Sequence, residues 1–356
     1  MNMKRSIVIL GASYGSLLAS KLLLAGHNVT LVCLPAEASL INADGIRVRM
    51  PVKGTTGLIE LDSRALDGHL TACAPAALDP ARCDLMVLAM QEPQYRAKDV
   101  SDLLVQAAAA QIPMMSIMNM PPLPFMLRLP GITTNDIARC YSDPSVWAPM
   151  DPNLMTLCSP DPQAFRPQGE PVNVLQVSLP TNFKAARFEN PAHTATLAGL
   201  AADIEAARLD LGDGPIELPV KLKVHDSLFV PMAKWAMLMA GNFSCIKRDH
   251  VVSIREAVHT DLDRSRAIYA AVNDLCRSLG ASGSDLVPFE KYANAADGLA
   301  KPSSAARALD NGAQAIERVD LLVQTLARKQ GRPIPAVDDI VANVEGWLTR
   351  NRKSAA

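Results

Sequence analysis

The chain has 356 residues, 49% hydrophobic and 20% charged, enough for two globular domains of roughly 100–200 residues each and unlike collagen, a coiled coil or a disordered tail. With 35 basic and 36 acidic residues the formal charge is −1, which excludes the basic footprint of duplex or membrane-surface binding, so neither nucleic acid nor a membrane is expected as a partner. Aromatics are only 4% while Met numbers 15, so the core must come from Ala, Leu, Val and Met, which favours α/β and helical architecture over an all-β sandwich.

Ser6 to Leu10 is a short β-branched apolar run. Gly11 to Ser16 follows as a tight turn, Leu17 to Ala25 as an Ala/Leu-rich helix ended by Gly26, and His27 to Cys33 as a second apolar strand. Strand, glycine turn, helix and strand make a β-α-β unit whose helix start presents backbone N–H groups to an anion, with small residues that let a pyrophosphate approach. Gly11, Ala12, Ser13, Tyr14, Gly15 and Ser16 are therefore the candidate cofactor-binding residues. The fingerprint is partial, because Ser13 and Ser16 stand where G-x-G-x-x-G requires glycine. The string also fits the G-x-S-x-G elbow of hydrolases, but such an elbow draws oxyanion donors from an earlier strand, and this is the first strand. The second strand ends in Val32-Cys33-Leu34-Pro35, without the acid that binds a ribose hydroxyl or the Arg that reads a 2′-phosphate; Glu37 is the nearest acid and reads as a solvated loop residue.

Asp44 to Met50 and Gly57 to Leu61 alternate as hairpin-like strands, whereas Asp84 to Met90 and Met114 to Met118 are continuous apolar strands. The polar loops after the last two, with Gln91 and Asn119, are expected at the carboxyl edge of a doubly wound sheet, where ligands bind; Asn119 reads equally well as a turn residue before a proline pair. Residues 141–190 read as further strands in loops, Thr194 to Leu209 as a helix and Lys221 to Val224 as a charged strand. The Gly212–Pro215 cluster puts the domain boundary near 218, giving a Rossmann-type domain at 1–218 and a helical domain at 219–356.

Ser227 to Asn242 reads as one helix. At 3.6 residues per turn Lys234, Leu238 and Asn242 share a side spanning about 12 Å. A lysine among Met, Ala, Leu and Trp either snorkels to the surface or is desolvated and able to donate a proton. Lys301 to Ser304 opens a short helix, Ala313 to Gln330 a long one with Glu317 in its first turns, and Val337 to Thr349 a last one; Glu317 there could merely complement the helix dipole, and Ser303 or Ser304 could be an N-cap. The seven cysteines are odd in number, widely spaced and without a CxxC pair, so neither a disulfide framework nor a metal site is expected. A reducing cytoplasm suits them, and the N-terminal apolar run Ile7–Leu10 is too short for a leader or a membrane span.

In this order the pieces resemble the ketopantoate reductase family over almost the full length: the Gly11 turn with Leu17-Leu-Ala, Ala25-Gly-His-Asn-Val-Thr-Leu, Ala43-Asp-Gly-Ile, Lys234 and Asn242 eight apart, KPSS at 301–304, Ile316-Glu317, and GRPIP at 331–335. The resemblance implies a Rossmann domain, an all-helical domain and NADPH-dependent reduction of a 2-oxo acid. It also implies Lys234 as general acid, Glu317 as its partner, Asn242 and Ser304 as substrate-binding groups, and Asn119 beside the nicotinamide; in an oxidoreductase of this kind Arg307 is expected to help hold the substrate's polar end. Leu34 stands where an Arg commonly reads the 2′-phosphate, Gln91 where a Lys does, and Leu238 where an Asn follows the lysine by one turn, so NADP and NAD both stay open, as does the substrate. A non-redox lyase, an isomerase or a ligand-binding protein on the same scaffold is the alternative. Met- and Ala-rich helical faces lead us to expect a homodimer.

Overall fold

The computed structural model describes residues 3–355 except 211 and 213, so Met1 and Asn2 of the N-terminal reading and Asp213 of the Gly/Pro cluster lie outside the described residues. It divides into two compact units.

The first unit comprises Met1–Met90, Gln94–Met118 and Ser145–Asp226. It opens with β1 (Ser6–Leu10), α1 (Gly15–Leu24), β2 (Asn28–Val32), α2 (Pro35–Asp44), β3 (Arg47–Pro51), β4 (Leu58–Asp62), β5 (Leu70–Cys73), β6 (Leu85–Leu88), α3 (Lys98–Ala109) and β7 (Met114–Ile117). Ile7 to Leu10 are all buried, as a strand covered on both faces must be, and every residue of α1 is buried too, consistent with its apolar composition. Later elements of this unit are β8 (Met155–Ser159), β9 (Gln163–Phe165), β10 (Val174–Leu179), β11 (Phe183–Ala186), α6 (Pro191–Ala206), β12 (Leu209–Asp210), β13 (Pro215–Ile216) and β14 (Leu222–His225).

The main sheet has the order β14-β11-β8-β7-β6-β1-β2-β5, with Ile9 opposite Leu31 on one side and Val87 on the other. All pairs are parallel except β11 with β8. Chain order reverses between β1 and β6, which makes their carboxyl ends a topological switch point. A smaller sheet, β4-β3-β10-β9, holds the expected hairpin, its strands paired Arg47 to Asp62 through Pro51 to Leu58. The charged strand expected at Lys221 to Val224 is β14, one residue further on, and it pairs in register with β11 over four residues, so the expected boundary near 218 would sever the edge of the main sheet.

The second unit takes Gln91–Pro93, Asn119–Pro144 and Ser227–Ala356. Its helices are α4 (Leu123–Met126), α5 (Thr134–Ile137), α7 (Lys234–Met237), α8 (Ile254–His259), α9 (Leu262–Ser278), α10 (Phe289–Ala296), α11 (Ser304–Asp310), α12 (Val319–Lys329) and α13 (Pro335–Ser354). Segment 119–144, assigned from sequence to the first domain, packs here instead. Arg139 donates to Thr325 Oγ1 at 3.0 Å, and Lys329 Nζ meets Asp136 at 2.8 Å, both tying the segment to α12.

Two helix expectations are corrected. Residues 313–318 are not helical and α12 starts only at Val319, so Glu317 lies before the helix rather than in its first turns. The run from Ser227 to Asn242 is a short 3₁₀ turn (Pro231–Ala233), one α turn (Lys234–Met237) and a π turn over Leu238–Phe243. Tyr292 explains the π turn. Its hydroxyl donates to the Met237 carbonyl at 3.0 Å and fills the space over Gly241, where a Cβ would come within 1.8 Å of the phenol oxygen. A carbonyl engaged from outside the helix and a missing side chain are the conditions under which a turn widens.

Candidate active site

In the first unit the Gly11–Ser16 turn lies at the switch point. Gly11 has φ +103°, and a Cβ there would meet Met90 Cγ at 2.7 Å and the Ala89 carbonyl at 2.9 Å; a Cβ on Gly15 would meet Ile9 Cγ2 at 2.7 Å. Both glycines therefore let the turn lie flat on β1 and the end of β6. Gly11 N–H is used by the Val32 carbonyl at 2.9 Å, and the Ser16 hydroxyl folds back, buried, onto the Ala12 carbonyl. Ser13 is the exposed residue of the turn. At the start of α1 the Ser16 and Leu17 N–H groups donate to the Ser13 and Tyr14 carbonyls, both at 3.2 Å. A glycine turn at a switch point, leading into a helix N-terminus and carrying an exposed small residue at its tip, fits a dinucleotide's phosphates.

Tyr14 turns inward. Its hydroxyl donates to the Pro162 carbonyl at 2.6 Å and its ring packs edge-on against Phe183 at 6.0 Å, with burial holding the phenol well above its ordinary range. Four residues after Pro162, Arg166 forms an ion pair with Glu37. Glu37 is thus in the first turn of α2 and only 14% exposed at its side chain, not the solvated loop residue expected, because Arg166 neutralises it. Arg166 had no signal in the sequence.

The second unit gathers another group of predicted residues. Glu317 accepts hydrogen bonds from the Glu92 N–H at 3.3 Å, from the Asn119 side chain and from the Met120 N–H. Burial pushes the Glu317 carboxyl up to about 7; the hydrogen bonds pull it down and the nearby Glu92 carboxylate pushes it further up. Glu92 is itself buried and takes the Ser142 N–H at 3.1 and 3.2 Å. Asn119 Oδ1 is buried with no hydrogen-bond partner. The Asn119 amide donates to Glu317, and its carbonyl oxygen is left over. Gln91, exposed, also belongs to this unit. Glu92 belongs to the same expected loop as Gln91, but its burial, between an exposed Gln and a Pro, carries no periodic signal.

Lys234 is half-buried at the start of α7, and Asn242 is half-buried in the π turn, while Leu238 between them is buried. The single helical side expected for the three is broken by the change of pitch. The Asn242 carbonyl accepts the Ser303 hydroxyl at 2.6 Å, and Ser303 Oγ in turn accepts the Ala306 N–H at 3.1 Å. Ser303 is thus the N-cap of α11 and Ser304, next to it, is exposed. Arg307 is exposed and donates to the Pro302 carbonyl at 3.3 Å.

No protein-family model and no curated protein matches the sequence. Solved structures do match. The 2-dehydropantoate 2-reductase of Methylococcus capsulatus superposes with a TM-score of 0.65 at 15% identity, covering 97% of each chain. A ketopantoate reductase of Ralstonia eutropha JMP134 gives 0.62 at 17% identity over 98% of this chain and 99% of that one. The dimeric ketopantoate reductase of Staphylococcus aureus gives 0.58 at 10% identity over 97% and 99%. With its Rossmann-type first unit and helical second unit, the chain has the ketopantoate reductase fold.

Proposed function

We propose that the chain is an oxidoreductase that reduces a 2-oxo acid or a related carbonyl with NADPH or NADH. The observation that carries this reading is the Glu317 carboxyl, raised to about 7 and hydrogen-bonded to Asn119, in a chain of this fold. A reduced nicotinamide, when bound, supplies the hydride for the carbonyl carbon. Gly11 to Ser16 hold the nucleotide's phosphates, with Gln91 and Asn119 as the further cofactor-binding residues. Lys234 gives a proton to the carbonyl oxygen, so the product is an alcohol and the lysine is left neutral. Glu317, which exchanges its proton near neutral pH, returns one to the amine. Asn242, Ser304 and Arg307 bind the polar end of the substrate; the exposure of Ser304 and Arg307 on α11 leaves both open to a solute. The reading extends to a homodimer, the state named for the Staphylococcus aureus protein, and to a cytoplasmic setting, which suits seven cysteines held as thiols. Among the described residues no helix is long and apolar enough to cross a membrane.

The test is fluorescence titration with NADPH and NADH, followed by nicotinamide oxidation with a panel of 2-oxo acids that includes 2-dehydropantoate. Saturable binding of at least one nucleotide and turnover of at least one acid are expected. Failure to bind either nucleotide overturns the reading, and binding without oxidation by any carbonyl overturns its redox part.

A further inference from the structure

We propose that Glu37 and Arg166 together read the adenosine ribose of the cofactor, and that Glu37 turns this chain toward the nucleotide without a 2′-phosphate. The proposal rests on the nicotinamide reading above and adds which nucleotide is preferred and through which residues.

The end of β2 offers no polar group of its own: Val32 is buried, Cys33 half-buried, and Leu34 is apolar and 74% exposed. In this topology that position receives the ribose, which needs an acid for its hydroxyls or a cation for a 2′-phosphate. Two other elements supply charge there. Glu37 comes from the first turn of α2, and Arg166 follows β9 in the small sheet. Their side chains are 14% and 32% exposed, so the pair is set into the unit rather than lying on its surface. α2 begins at Pro35, directly after β2 ends at Val32, so Glu37 and the Arg166 paired with it lie at that end of the strand; both charges act on the Cys33 thiol, which burial foremost and then Glu37 push up to about 12 while Arg166 opposes. The segment carrying Arg166 is also tied to the glycine turn, through Tyr14 and the Pro162 carbonyl. One short stretch of chain therefore touches both places that a dinucleotide would occupy in this unit.

The chemistry of the pair favours a hydroxyl. Arg166 Nε is buried without an acceptor, although Nη2 is bound to Glu37. A ribose 2′-hydroxyl can accept from the guanidinium and donate to the carboxylate at once. A 2′-phosphate has only acceptors at neutral pH and carries negative charge, so it gains from Arg166 but meets the Glu37 carboxylate at contact distance.

The experiment measures the Kd of NADH and NADPH by fluorescence titration for the wild type, Glu37→Gln and Arg166→Met, with thermal melting to show that each variant is folded. The wild type should bind NADH about tenfold or more tighter than NADPH, the difference expected of one charge-assisted contact. Glu37→Gln should tighten NADPH and weaken NADH, inverting the order, and Arg166→Met should weaken both. Should Glu37→Gln unfold, Glu37→Asp is measured instead, and keeping the wild-type order is its expected result. A wild type that prefers NADPH, or a Glu37→Gln ratio unchanged while both nucleotides bind, overturns the role of the pair and leaves the reductase reading standing. Absence of binding by either nucleotide in the wild type removes both.

Discussion

Desolvation brings the ionisation of Lys21 and of Glu317 to about 7, from opposite directions, yet the two residues differ in everything else. Lys21 is 1% exposed in the last turn of α1; its amine donates to the Pro219 carbonyl at 2.9 Å, beside Val220, which is held at φ +65°. Burial lowers it first and Lys221 next, while Glu217 and Glu205 oppose. It ties a helix to a strained turn far along the chain. Glu317 instead sits half-buried in an irregular segment, bonded to two loops that follow β6 and β7, next to an Asn carbonyl oxygen with no partner. A perturbed ionisation alone marks neither as functional. The difference lies in what surrounds it: the lysine is enclosed by the fold it stabilises, whereas the carboxyl is accompanied by an unsatisfied polar atom.

The largest effect that would separate the proposed site from the structural lysine concerns Lys234. Lys234→Ala should lower kcat by about 10²–10⁴-fold, the range of one positioned general acid, while leaving the nucleotide Kd near the wild-type value. If Lys234→Met keeps turnover and stability unchanged, the lysine only covers apolar surface and the mechanism fails. Glu317→Gln should cost about 10²-fold in kcat and abolish an inflection near pH 7 in the rate profile. Since the carboxyl is raised above its ordinary value, the folded chain binds more protons than the unfolded one from 4.5 to about 7, and Glu317 makes the protein less stable as pH rises across that window. Double replacement of Lys234 and Glu317 should do less damage than the product of the single effects, because groups that work as a unit are not additive.

Gly11→Ala should be the next in size. Its methyl would collide with the backbone and Met90 at a φ that L-residues avoid, costing about 2–3 kcal/mol in denaturant unfolding and weakening nucleotide binding with it. A variant that unfolds like the wild type would mean that the turn is loose, and would remove the rigid cradle from the proposed mechanism.

How much of this was legible depended on how local the cause was. The β-α-β start was readable because a β-branched run, a glycine turn and an Ala/Leu helix follow one another within 33 residues. The long helices expected around Lys234 and Glu317 are not there: apolar spacing at 3.6 continues through Asn242, whereas the pitch is set by Tyr292, which lies fifty-five positions from Met237 and fills the void over Gly241. Segment 119–144 has prolines and short apolar stretches without a period, so nothing local says which unit it joins. Arg166 was invisible because its partner is 129 positions away and only the small sheet brings the two together. Lys21 drew no attention in an Ala/Leu helix, since nothing in the local pattern says that all sides of that helix are buried.

Lys21→Met is the smallest effect and the sharpest test of the contrast. The folded ionisation of Lys21, about 7, lies below the ordinary 10.5, so between these values the unfolded chain binds more protons and stability rises with pH; below about 7 both states are protonated and the full cost of burying the charge is present. Methionine matches the length of the side chain and removes that cost, but leaves the Pro219 carbonyl without its donor. The variant should therefore be more stable than the wild type by about 1–2 kcal/mol in mildly acidic buffer, within the gain seen when buried charges are replaced by apolar groups. Above pH 10 the order should reverse, because a neutral lysine keeps its hydrogen bond and pays no charge penalty. Denaturant melts at the two pH values read this directly, and Lys21→Met should leave the Glu317-linked inflection in the rate profile where it was. If the variant is instead less stable at every pH, the Lys21 ammonium is sustained by Glu217 and Glu205, and its burial is no longer the counterpart of that of Glu317.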